Sequence, residues 1–103
     1  MVHELKILPE YFKEVISNKK KFEVRKNDRN FKVGDSLVLK EYINGEYTGA
    51  ICICEVTYIL QGGKYGINKD YCILSINKVT GLISIDMSDQ EDKTCKIEKF
   101  KGE

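Results

Sequence analysis

Residues 18–25 read Asn-Lys-Lys-Lys-Phe-Glu-Val-Arg, and three of these side chains, Lys20, Glu23 and Arg25, are of types that bind anions or move protons. In an extended segment Glu23 and Arg25 fall on one face as neighbours. Partly desolvated, such a pair fixes its own geometry. Lys20 precedes the segment and can curve over the same face. A lysine beside a glutamate–arginine pair makes either an anion site, with arginine adding a bidentate fork, or a general acid–base set. To act as a base the lysine must lose its charge, which a neighbouring cation favours. A structural ion pair is the competing reading of the pattern alone. Charge is concentrated around this trio. Between residues 19 and 32, seven cations (Lys19, Lys20, Lys21, Arg25, Lys26, Arg29 and Lys32) face two anions, Glu23 and Asp28, a local balance of +5 in a chain of net charge +1. Any electrostatic case for a phosphate-bearing partner is therefore local. Lys19 to Lys21 alone would serve equally as a solubilising surface.

The elements that must position these residues can be read from periodicity. His3 to Ile7 alternates as a short strand. Leu8-Pro9-Glu10 starts a helix, where proline's missing N–H costs nothing. Tyr11, Phe12, Val15 and Ile16 form its apolar stripe, and Ser17-Asn18 ends it, asparagine tolerating a left-handed backbone. Lys21 to Lys26 is predicted to be a half-buried strand, Phe22 and Val24 on one side and a polar face on the other. Asn27 to Asn30 is a loop, and Gly34-Asp35 turns the chain into a strand over Ser36 to Tyr42. Asn44-Gly45 is a hairpin signal leading into a long strand within Tyr47 to Leu60, with Val56, Tyr58 and Leu60 on one face. Gln61 to Gly66 is glycine-rich but lacks the pattern of a phosphate-binding turn. Tyr71 to Val79 is a further strand, with Cys72, Leu74 and Ile76 on one face. Leu82 to Ile85 can form a short strand, Asp86 to Asp92 an acidic loop, and Thr94 to Phe100 a last edge strand. This order predicts an α+β domain, a curved or barrel-like, mainly antiparallel sheet with one principal helix packed against it.

At 103 residues the chain holds one domain, and 42% hydrophobic with 32% charged residues is a globular composition. Its apolar runs are too short for a transmembrane helix, and Met-Val-His-Glu-Leu-Lys lacks a signal peptide's pattern. No membrane partner and a cytoplasmic location are expected. Cys52 and Cys54 would share a strand face, Cys72 lies in another apolar run and Cys95 in a polar one. With no Cys-x-x-Cys and one histidine, small reduced apolar side chains are expected, with neither metal nor cofactor.

Asn18 to Arg25 resembles the Gly-x-Lys-x-x-Glu-x-Arg signature of ASCH domains, relatives of the PUA RNA-binding fold. His3-Glu4-Leu5-Lys6, Pro9 to Phe12, Arg25 to Arg29, Phe31 to Asp35, Gly62-Gly63-x-Tyr65-Gly66 and Tyr71 to Ile76 together look like one small bacterial and phage subgroup, DUF3850. The resemblance covers about residues 3 to 78 and implies an ASCH/PUA-like domain over 1–80, with 81–103 a C-terminal extension of added strand or acidic tail. It implies a cleft between barrel and helix lined by Lys20, Glu23 and Arg25, and RNA or a nucleotide-like molecule as partner. Asn18 stands at the signature glycine, a replacement that suits a left-handed backbone but not close approach of a ligand to bare backbone. Some ASCH members resemble amidohydrolases acting on an acylated cytidine, with the signature lysine and a threonine where this chain has Glu23.

Three functional expectations follow. The first is a binding module for RNA or a nucleotide, built on Lys20, Glu23 and Arg25, with Lys26 and Arg29 at the rim and Tyr65 able to stack on a base. The second is a hydrolase of a modified nucleoside or RNA, with Lys20 and Glu23 as its catalytic residues. The third is an interaction domain whose acidic tail docks a basic partner. His3, Lys6 and Asp28 are weaker site candidates.

Overall fold

Asn44 and Gly45 both take positive φ, 54° and 81°. They are the two left-handed residues of a type I′ turn, whose twist matches that of paired strands. In a computed structural model of the chain, which describes residues 1–80 and the backbone of Ile83–Ser84, this turn joins β3 (Ser36–Ile43) to β4 (Glu46–Gln61). The remaining elements are β1 (Val2–Ile7), α1 (Pro9–Ile16), β2 (Phe22–Lys26), β5 (Tyr71–Lys78) and β6 (Ile83–Ser84). The strands run in the order β1-β3-β4-β5-β2, and β6 pairs with β4 at Ala50 and Ile51. The β1–β3 pairing is parallel and the others are antiparallel. The predicted α+β class with one helix and a mainly antiparallel sheet is observed among the described residues. Asp86 to Asp92 and Thr94 to Phe100 lie outside them.

The sheet curls into a half-barrel. Its two end strands, β1 and β2, have no ladder between them, yet side chains span the gap. Arg25 Nη2 donates to Lys6 O at 2.9 Å, and Arg29 Nη1 donates to Glu4 O at 2.9 Å. These guanidiniums occupy β1 edge carbonyls that would otherwise face an open sheet edge.

The core lies on the concave face. Leu5 and Ile7 of β1, Leu37 and Leu39 of β3, Cys52, Cys54 and Val56 of β4, and Cys72, Leu74 and Ile76 of β5 pack with Phe12 and Val15 of the helix. The period-two pattern at residues 72, 74 and 76 is thus realised as predicted. In β4 it is broken. A register shift between Val56 and Tyr58 marks a bulge, after which Val56 remains buried while Tyr58 turns outward and Ile59 packs on the core. One inserted residue moves every following side chain to the opposite face, so Val56 and Tyr58 do not share a face.

The helix begins on Pro9 at its first position, with Phe12 N donating to Leu8 O at 2.9 Å. Its end is a Schellman turn. Asn18 is left-handed at φ 64°, Asn18 N donates to Val15 O at 3.1 Å, and Lys19 N donates to Glu14 O at 2.9 Å. Lys20 N also donates to Glu14 O, and Lys78 Nζ caps the Ile16 carbonyl at 2.7 Å. The backbone of Lys20 is therefore tied to the helix end before β2 starts. The loop between β4 and β5 needs a true glycine at Gly62, where a Cβ would collide with the carbonyl oxygens of Asn68 and Tyr71.

Candidate functional site

β2 reverses the expected burial. Glu23 is 3% exposed, whereas Phe22 and Val24 are 46% and 51% exposed. The polar face of the strand points inward and the apolar one outward. The physical reason is that the inward carboxylate is neutralised twice. Arg25 donates to Glu23 Oε1 from Nε at 2.9 Å and from Nη2 at 2.7 Å, and Lys20 Nζ donates to Glu23 Oε2. A carboxylate with both oxygens bonded to cations tolerates burial that an isolated one would not. Lys20 Nζ also donates to Phe22 O at 2.7 Å, an acceptor on the free edge of β2. Its ammonium lies 4.9 Å from the Phe22 ring centroid and 5.8 Å from that of Tyr11.

Beside the trio opens a cleft of about 460 Å³ between the two end strands and the helix start, lined by Lys6, Ile7, Leu8, Tyr11, Lys20, Phe22, Glu23, Val24 and Arg25. Its volume lies within the span of small-molecule sites, and its composition follows theirs: apolar walls with a few convergent polar groups. Among the described residues, Arg25 Nη1 makes no hydrogen bond, and one N–H of Lys20 has no acceptor. With three cations, Lys6, Lys20 and Arg25, and one anion, Glu23, the cleft lining carries a formal charge of +2 and still has donors to offer.

The other candidates are dispersed. Lys6 lines the cleft and sets its Nζ 4.4 Å from the Tyr42 ring centroid. Arg29 staples β1 outside the cleft, and Lys26 and Asp28 are exposed beyond it. Tyr65 is left-handed (φ 56°), 85% exposed and not part of the cleft wall. His3 is buried elsewhere. Its Nε2 donates to Asp35 Oδ2 at 2.8 Å and its ring meets Phe31 edge-on at 4.7 Å. The His3 bond, with the Lys32 amide and the N-terminal ammonium, lowers the Asp35 pKa to about 2.

Cys52, Cys54 and Cys72 are buried free thiols. The Cys52 and Cys54 sulfurs are 3.8 Å apart, and their mutual hydrogen bond, with burial, pushes the Cys54 thiol up. Burial does the same to Cys72. The Cys52–Cys54 hydrogen bond lowers the Cys52 thiol, while the raised Cys54 and Cys72 are poor nucleophiles; all three sit in the apolar core. Cys95 lies outside the described residues.

The walls of the cleft are not legible in the linear pattern. Tyr11 and Phe22 were expected to pack inward, as members of a helical stripe and a strand's apolar face. Their shared signal, an aromatic on either side of the Lys20 segment, becomes visible only once α1 and β2 are brought together.

Residues 2–76 match the family described as "Domain of unknown function (DUF3850)". The chain belongs to this family. The matched span contains all nine cleft residues. The chain is also 46% identical over 73 residues to an "Uncharacterized 12.9 kDa protein in GpA 3'region" of Escherichia phage P2. That alignment takes in 71% of this chain and 65% of the phage protein's length. No described helix is long and apolar enough to cross a membrane.

Proposed function

We propose that this DUF3850 chain is a PUA-like module, of the ASCH type, that binds RNA or a nucleotide-like ligand in the cleft beside Lys20, Glu23 and Arg25. One observation carries the reading: a buried carboxylate held by two cations that line an open, apolar-walled recess and have donors left over. The carboxylate fixes the guanidinium and ammonium in place, so little side-chain freedom is lost when an anion or a carbonyl-bearing base arrives. The spare Arg25 Nη1 suits a phosphate oxygen or a base carbonyl, and the exposed Tyr11 and Phe22 rings offer faces to a base. The curled sheet with a helix beside the cleft supports the PUA-like assignment. Binding is favoured over hydrolysis because both Glu23 oxygens accept from Lys20 and Arg25, so the carboxylate serves to hold the two cations in place.

The test is the affinity for a labelled single-stranded RNA at two salt concentrations, for the wild type, Arg25→Glu and Lys20→Gln. Affinity should fall steeply with salt, and both variants should lose most of it. Salt-insensitive binding, or no binding by the wild type, overturns the proposal.

A further inference from the structure

The cleft lining includes Lys6 of β1. Across two strands from it runs a ladder of alternating cations and aromatic rings. Lys6 Nζ sits over Tyr42, Tyr42 meets Tyr47 edge-on with centroids 4.9 Å apart, and Lys40 Nζ lies 5.4 Å from the Tyr47 centroid. Tyr42 and Tyr47 face each other across β3 and β4, next to the Asn44-Gly45 turn. Tyr47 is 54% exposed. The rigid hairpin presents an aromatic face about 10 Å from Lys6, two strand spacings away.

Resting on the cleft reading, we infer that the occupant is a single-stranded RNA segment rather than a lone nucleotide, with one unit in the cleft and a neighbouring base stacked on Tyr47. Lys6 is common to both halves, lining the cleft and capping Tyr42, and so makes them continuous. The formal +2 of the cleft lining accepts a phosphodiester or a terminal phosphate alike, so the length of the ligand is decided by the aromatic surface beyond Lys6. The hairpin differs in kind. Lys40 is paired with Glu4 at 2.9 Å, Glu41 accepts from Thr48 at 2.6 Å, and Glu46 adds a further negative charge. It is therefore a stacking surface and not a phosphate clamp. The two halves should show different signatures, the cleft setting the salt dependence and Tyr47 setting the dependence on length.

The experiment compares uridine hexanucleotide with uridine 5′-monophosphate, on the wild type, Tyr47→Ala, Tyr47→Phe and Arg25→Glu, at two salt concentrations. Tyr47→Ala should weaken the hexanucleotide about tenfold, within the range of one lost base–aromatic stack, and leave its salt slope unchanged. Binding of the monophosphate should not change, and Tyr47→Phe should behave as wild type. Tyr47 is exposed, and an unchanged thermal midpoint in Tyr47→Ala verifies the fold. If Tyr47→Ala binds the hexanucleotide like wild type while Arg25→Glu does not bind it, the stacking surface is wrong and the cleft stands. Equal weakening of both ligands by Tyr47→Ala also overturns the inference. If the wild type binds neither ligand, the cleft reading falls with it.

Discussion

Among the described residues two carboxylates are buried, Glu23 and Asp35, and both are surrounded by donors. Asp35 takes the His3 ring, the Lys32 amide and the N-terminal ammonium, under the edge of Phe31. Glu23 takes Lys20 and Arg25 and borders a cleft of about 460 Å³. Burial of charge is thus common to both and marks neither as a site. What separates them is the capacity left over. The cluster around Asp35 joins the loop before β3 to β1 and lies outside the cleft, whereas the Glu23 cluster lines it and keeps donors to offer. A lone histidine and an aspartate would draw attention in any search for chemistry, yet here they fasten the chain together.

The comparison can be broken most forcefully at Glu23. Glu23→Gln leaves one amide group pointing at a cation and removes the charge that both partners share. A loss of about 3 kcal/mol is expected, read from urea unfolding, as for breaking a buried ion pair. A loss below about 1 kcal/mol would mean that the trio behaves as a solvated surface cluster. Acid sharpens the contrast from the other side. The folded-state pKa of Asp35 is lowered from 3.8 to about 2, so as pH falls the unfolded chain takes up this proton first. The stabilisation is therefore complete above about pH 4 and is lost progressively toward pH 2. Asp35→Asn should flatten the stability profile in that window and leave ligand affinity unchanged. An unaltered acid-unfolding curve would show that the carboxylate does not hold this joint. The smallest effect lies at Asn18, which supports only the Glu23 side. Asn18→Ala should cost about 1–2 kcal/mol for a left-handed alanine and loosen Lys20, while Asn18→Gly should stay near wild type. Equal stability of the two variants would show that the Schellman turn does not position the lysine.

Asn18 also shows how far the sequence could be read. Asparagine was compatible with two demands on the signature glycine, backbone freedom or bare backbone against a ligand. Its φ of 64°, with no place in the cleft lining, is that of a turn residue. Pro9, Asn44-Gly45 and the alternation at Cys72, Leu74 and Ile76 likewise mapped onto the helix start, the hairpin and the buried face of β5. The failures have one origin. Period-two patterning says which residues share a face but not which face is inside, and β2 came out inverted. Nor does it announce the bulge that turned Tyr58 outward.

Local chemistry along the chain determined the elements and brought Lys20, Glu23 and Arg25 into one segment, because caps, turns and alternation act within a few residues. Tertiary structure decided that this segment faces inward, that β2 pairs with β5 some fifty residues away, and that β1 lies parallel to β3. It also decided that Tyr11 and Phe22 flank a cleft while His3 does not. These outcomes depend on how a curled sheet distributes burial and ion pairing between distant strands, and no short-range pattern encodes that.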